Sequence, residues 1–351
     1  MPEVFCQPRV WGTLSDGQRV TLYTLRNSSG LAVSILNYGA TLTSVKVPDA
    51  KGIANELTFG FDHLEAYLAH DAYFGATIGR VANRIAQARF YYANRWFPLS
   101  QNLGPHHLHG GCRGFDKALW QAEVVMQNET AKVELTHFSP DGDQGYPGNL
   151  KVKVSYSLSI HNELKIRFEA TTDQPTPIDL TNHTYWNLAG AGSGPVFDHI
   201  LQVFADQYVV TDAELLPTGQ LAEVTETPFD FRQPHSLQER LVETPLQGYD
   251  LCFVLPDQTL GAPPRLAAQI KDPRSGRAME VYTTQPGLQF YTTNNLEQDI
   301  LLSEGRVAQR YGAFCMETQN LPGAVHYAHF PSPFLLPENQ YVHETLYRLI
   351  W

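Results

Sequence analysis

Lys151-Val152-Lys153-Val154-Ser155-Tyr156-Ser157-Leu158-Ser159-Ile160 alternates polar and apolar residues without a break. A period of two sends successive side chains to opposite faces of a strand, whereas a helix would scatter Val152, Val154, Tyr156 and Leu158 around its axis. After a turn at His161-Asn162-Glu163, the pattern resumes in Leu164-Lys165-Ile166-Arg167-Phe168-Glu169. The two runs therefore read as a hairpin with one buried and one wet face. Ala131–Phe138 repeats the pattern, and Leu31–Leu36, Ile200–Phe204 and Met279–Thr283 follow it less strictly.

Turn signals separate these runs: Ser28-Ser29-Gly30, Asp141-Gly142-Asp143, Tyr146-Pro147-Gly148-Asn149 and Asp272-Pro273-Arg274-Ser275-Gly276. Helical spacing is scarce, with short helices expected only at Asp62–Leu68 and His235–Leu241. Many short strands and few helices predict an all-β fold, a large antiparallel sandwich or barrel. Neither an internal repeat nor a linker divides the chain, so residues 1–351 are expected to form one domain.

The composition, 43% hydrophobic and 17% charged, is that of a core-forming protein. A net charge of -11 argues against nucleic acid, whose phosphates need a basic footprint. Cys6, Cys112, Cys252 and Cys315 are spaced too widely for a C-x-x-C motif and fit a reducing compartment. Met1-Pro2-Glu3-Val4-Phe5-Cys6 lacks a basic and then apolar leader, and no apolar run approaches the ~20 residues of a membrane span. The expectation is a cytoplasmic protein without a membrane partner, with monomer and homodimer both open.

Glu317 is a lone carboxylate in the otherwise apolar and amide-rich run Phe314-Cys315-Met316-Glu317-Thr318-Gln319-Asn320. His183 lies in Thr181-Asn182-His183-Thr184-Tyr185-Trp186, with aromatic faces beside it of the kind that pack against a sugar's C–H surface. A carboxylate and an imidazole are the minimum set for moving protons on a neutral substrate. His183 reads equally as a core histidine. His106-His107-Leu108-His109 invites a zinc or nickel reading. On a strand, however, His107 and His109 share a face that His106 opposes, and no carboxylate or cysteine completes the set. One functional imidazole, His109, is the preferred reading, with a loop histidine as the alternative. Arg84 in Gly79-Arg80-Val81-Ala82-Asn83-Arg84 is either solvated or half-buried on an acceptor. Asp250 in Gly248-Tyr249-Asp250 is a turn residue or a grip for two adjacent hydroxyls, and Gln285 is similarly open.

Taken together, these blocks resemble a known family. Asn83-Arg84, Leu108-His109-Gly110-Gly111 with Gly114-Phe115-Asp116, Asp143–Gly148, Thr181-Asn182-His183, Gly248-Tyr249-Asp250, Tyr282–Gly287 and Glu317-Thr318-Gln319-Asn320 follow the order and spacing seen in the aldose 1-epimerases, or galactose mutarotases. The resemblance runs from about Asn37 to Pro337–Tyr341. The extra histidines His106 and His107 and the divergent stretch Leu296–Arg310 depart from the family pattern. The resemblance implies a galactose mutarotase-type β-sandwich that binds a monosaccharide, D-galactose or D-glucose, and interconverts its anomers without metal or other cofactor. It implies Glu317 as general base and His183 as general acid. Asn83, Arg84, His109, Tyr185, Asp250 and Gln285 are implied as sugar-binding residues. The competing readings are an epimerase for hexose 6-phosphates, a glycoside hydrolase using Glu317 and Asp250, and a non-catalytic sugar binder.

Overall fold

A computed structural model describes residues 4–49, 52–127, 129–244, 246–259, 261–296 and 299–351. Residues 1–3, used in the leader reading, and residues 297–298 of the divergent stretch lie outside the described residues. The chain folds as an antiparallel β-sandwich. A nine-stranded sheet runs in the order Gln121–Met126, Thr130–Ser139, Leu150–Ser159, Glu163–Thr172, Tyr341–Ile350, Ala278–Thr283, Arg265–Lys271, Ile200–Val203, His235–Ser236. A six-stranded sheet runs Tyr185–Trp186, Phe314–Gln319, Gly287–Tyr291, Asp250–Val254, Gln207–Thr211, Pro217–Glu223. An N-terminal five-stranded meander from Val4 to Glu56 packs on the same core.

The expected hairpin is present: Leu150–Ser159 pairs with Glu163–Thr172, and Asn162 takes a left-handed φ of 62° at the turn. Its inward residues Val152, Val154, Tyr156, Ile166 and Phe168 are buried. They join Leu251, Phe253, Leu288, Phe290, Phe314 and Met316 of the six-stranded sheet in one apolar cluster. Sheet faces close against each other in this way because each carries an apolar side that water disfavours.

The expected helix at Asp62–Leu68 appears as Leu64–Ala69. That at His235–Leu241 does not form. His235–Ser236 is instead an edge strand, and only Leu241–Glu243 makes a single 3-10 turn. The backbone N–H groups of Leu237 and Gln238 donate to His199 O and Phe197 O. So short a helix cannot outbid pairing that also buries Leu237 completely.

Arg80 accounts for the Asp143–Gly148 motif. Its guanidinium is buried and donates to Ser139 Oγ (2.9 Å), Ser139 O (2.9 Å), Pro140 O (2.8 Å), Pro147 O (2.9 Å) and Thr176 Oγ1 (3.3 Å). Burial pulls its pKa down to about 10, with the charge of Asp143 opposing the fall. Arg80→Met is expected to strand three carbonyl oxygens at about 1–3 kcal/mol each, less the guanidinium's own desolvation. Urea unfolding should show a loss of roughly 3 kcal/mol or more.

Candidate active site

In Phe314–Gln319 the side chains alternate between two environments. Phe314 and Met316 enter the sandwich core, which sends Cys315 and Glu317 to the opposite face. All six residues are buried, so that face is covered as well. Gln289 stands directly opposite Glu317 on the neighbouring strand, and Asp250 begins the strand beyond.

Loops supply the cover. Thr181–Asn182 pairs with Thr77–Ile78. His183 is clamped at both backbone groups: its N–H donates to Ala76 O, and its carbonyl accepts from Gly75 N. Arg84–Ile85 pairs with His107–Leu108. Beside that pair, Asn83 and His109 hold left-handed φ values of 63° and 50°. Such conformations are costly outside glycine and concentrate at functional sites. Gly110 must be glycine, since a Cβ there would lie 1.7 Å from Gly79 O.

These elements bring seven of the eight sequence candidates together. His183 Nε2 is 3.5 Å from Glu317 Oε1. Glu317 Oε2 is buried and has no hydrogen-bond partner among the described residues. The His109 ring meets the His183 ring edge to face at 5.2 Å, and its Nδ1 accepts from Asn83 N–H at 3.2 Å. Arg84 Nη2 is 3.8 Å from Asp250 Oδ2. Tyr185 is buried with its ring stacked on His183 at 4.9 Å, so it backs the imidazole.

Burial sets the charges. Desolvation, then the neighbouring Asp250 carboxylate, holds Glu317 well above the usual carboxylate range, and Arg84 opposes this. Asp250 is also raised by burial, with Arg84 and the Gln289 amide pulling it back. Burial lowers His183 to about 4 and holds His109 well below its ordinary value. A carboxylate pushed up and an imidazole pushed down, in contact, titrate as one pair.

The three clustered histidines diverge. The strand His107–Leu108 ends before His109, so alternation does not carry through the run. His107 bridges Ser100 O and Tyr146 OH, at 2.7 Å each. His106 Nδ1 accepts from Gln87 N–H, and only His109 turns to Glu317. His109, His183 and Glu317 each offer a donor atom, all within 4.8 Å of one another. A tetrahedral zinc with ~2.0–2.1 Å bonds would need its donors roughly 3.4 Å apart. One edge of the trio, His183 Nε2 to Glu317 Oε1 at 3.5 Å, meets that spacing.

Gln285 is the eighth candidate, and the structure corrects it. Its side-chain amide donates to Tyr341 OH (2.9 Å) and Leu180 O (3.3 Å) and to none of the other candidates. The amide beside Glu317 is Gln289, four residues on. Gln289 Nε2 donates to Asp250 Oδ1 at 2.6 Å, and its Oε1 accepts from Asn83 Nδ2 at 3.1 Å. The signal was legible: Gln289 is a polar residue at an alternating position in Gly287-Leu288-Gln289-Phe290-Tyr291, as Glu317 is in its own strand. Gln289→Ala is expected to lower kcat/KM by roughly 5- to 150-fold, since it frees both Asp250 and Asn83. Gln285→Ala should cost stability and leave kcat/KM within about threefold. Parallel kinetics and thermal melts separate the two. Tyr73, with φ 56° and its ring 4.9 Å from His109 and 6.0 Å from His183, was also missed. Nothing in its surrounding sequence marks it.

The family model described as aldose 1-epimerase matches residues 21–348. A galactose mutarotase of Homo sapiens is 42% identical over 340 residues, spanning 97% of each chain. An aldose 1-epimerase of Escherichia coli K12 is 38% identical over 341 residues, 95% of this chain and 96% of that protein. Among solved structures, a galactose 1-epimerase from Lactobacillus acidophilus superposes with TM-score 0.85 at 30% identity, covering 99% of both chains. An aldose epimerase homologue from C. elegans gives TM-score 0.84 at 31% identity, over 92% of this chain and 96% of that one.

Proposed function

The chain belongs to the aldose 1-epimerase family and is an isomerase that interconverts the anomers of aldoses; from that premise we propose that it acts on free hexoses, D-galactose and D-glucose, with Glu317 as general base and His183 as general acid. The observation that carries this reading is the buried 3.5 Å contact between His183 Nε2 and Glu317 Oε1, with Glu317 Oε2 unpartnered among the described residues. In the proposed reaction Glu317 takes the proton of the C1 hydroxyl while His183 protonates the ring oxygen. The C1–O5 bond breaks and a free aldehyde forms. Rotation about C1–C2 presents the other face of the carbonyl. The ring recloses as the C5 hydroxyl returns its proton to His183 and O1 recovers one from Glu317. Each positioned group contributes about 10²–10⁴-fold.

Arg84, Asp250, Gln289, Asn83 and His109 supply donors and acceptors around that pair, as recognition of a neutral polyol requires. Asp250 is already engaged by Gln289 and faced by Arg84. That suits a grip on adjacent hydroxyls better than the free second carboxylate of a glycosidase. No metal enters these steps. Polarimetry on freshly dissolved α-D-galactose and α-D-glucose is the test, with EDTA in a parallel sample. The expected result is a faster approach to the same final rotation, unaffected by EDTA. No acceleration with either sugar, combined with acceleration of glucose 6-phosphate, would move the assignment to phosphorylated hexoses.

A further inference from the structure

The strand that carries Glu317 holds His183 at two points. Cys315 precedes Glu317 by two residues and so projects from the same face. Its Sγ lies 3.6 Å from His183 Nδ1, while Glu317 Oε1 lies 3.5 Å from Nε2. The imidazole is thus bracketed by thiol and carboxylate, one at each ring nitrogen. Cys315 is fully buried, has no disulfide partner, and is cross-strand neighbour to Tyr185, whose ring stacks on His183. The backbone of His183 itself also favours the protonated ring, and its carbonyl accepts from Gly75 N–H.

We propose that Cys315 is a positioning residue that fixes the tautomer of His183, holding a proton on Nδ1 so that Nε2 is the nitrogen that gives a proton to the sugar's ring oxygen and takes it back. This rests on the reading of His183 as general acid. A neutral imidazole carries its proton on either nitrogen, and the partner of one nitrogen decides the state of the other. A thiol is both a weak donor and a weak acceptor. Its sulfur accepts from Nδ1–H of the neutral ring, leaving Nε2 bare to take back the proton of the C5 hydroxyl. When the ring is charged, the sulfur still accepts from Nδ1–H, and Nε2 carries the proton to be delivered. A carboxylate in the same place would accept only and would favour the permanently charged ring. The thiol therefore orients the imidazole without raising its affinity for protons. Burial and the nearby Glu317 and Asp250 charges hold the Cys315 thiol well above its ordinary pKa, so it keeps its hydrogen.

The test combines kinetics with nitrogen NMR of histidine-labelled enzyme free of sugar, in which His183 is assigned by the signal lost in His183→Gln. In the parent protein the neutral His183 should show a protonated Nδ1 and an unprotonated Nε2. Cys315→Ala should convert it to a mixture of tautomers and lower kcat about tenfold, with KM within about twofold. Cys315→Ser, which keeps an acceptor on a shorter arm, should recover part of both. A Cys315→Ala protein with the parent tautomer overturns the proposal, whether kcat is kept or lost, since any loss then reflects packing. The tautomer is read without substrate. Normal turnover by His183→Gln would therefore sink the acid assignment separately, leaving the thiol–imidazole contact standing.

Discussion

Glu317→Gln lowers kcat by about 10³-fold or more and leaves galactose binding nearly unchanged. Glutamine keeps the shape of the side chain and a carbonyl for His183 to face, but it cannot accept the C1 proton. Polarimetric kcat together with calorimetric titration of galactose separates the two effects. Turnover within a few-fold of the parent would remove Glu317 from the base role. The substitution also has a consequence for stability, which fixes its sign independently. The folded protein holds Glu317 with a pKa well above that of the unfolded chain, because burial and Asp250 both disfavour its charge. A carboxyl group raised in the folded state contributes stability that is present below the unfolded value and lost as pH rises toward the folded one. At pH 8 the parent carries that cost, and Glu317→Gln does not. The variant should therefore melt higher at pH 8, with the gap narrowing toward pH 5. An inactive enzyme more stable than its parent is the signature of a group held in place for chemistry at the expense of the fold.

The wet-faced strands were legible from alternation, because each has one apolar and one polar side. Phe314–Gln319 was not legible in that way. Both its faces are covered, one by the sandwich core and the other by loops, so its residues show no period of two in polarity. Glu317 stood out for the complementary reason, as a charge with no solvated face to occupy. The same logic, applied to Gly287–Tyr291, would have chosen Gln289 over Gln285. Gln285 drew attention from a turn motif, Thr284-Gln285-Pro286-Gly287, whose work is to carry the chain from one sheet to the other. His235–Leu241 misled because helical spacing over seven residues is weak against backbone partners supplied from far along the chain. Cys315 and Tyr73 depend on which loops fold over the sheet, a fact of tertiary structure that no local pattern contains.

His183→Gln carries the second large effect, about 10²- to 10⁴-fold in kcat, and its pH profile says more than its magnitude. The Glu317–His183 pair works with one proton between its two members. Adding a second proton fills the base. Because burial lowers His183 to about 4, that loss falls on the acid side. Removing the only proton empties the acid. Because burial and Asp250 raise Glu317, the proton is held to higher pH, and that loss falls on the alkaline side. The parent enzyme should therefore show a bell whose two limbs belong to the pair and not to either residue alone. In His183→Gln the residual reaction needs only an ionised Glu317, with water supplying the proton to the ring oxygen. Its rate should climb through a single ionisation and then stay level, with no alkaline fall. Rates measured from pH 5 to pH 10 for both proteins decide the matter. An alkaline limb that survives the loss of His183 would place the acid elsewhere, and Tyr73, whose ring lies 6.0 Å from that of His183, would be the next hydroxyl to remove.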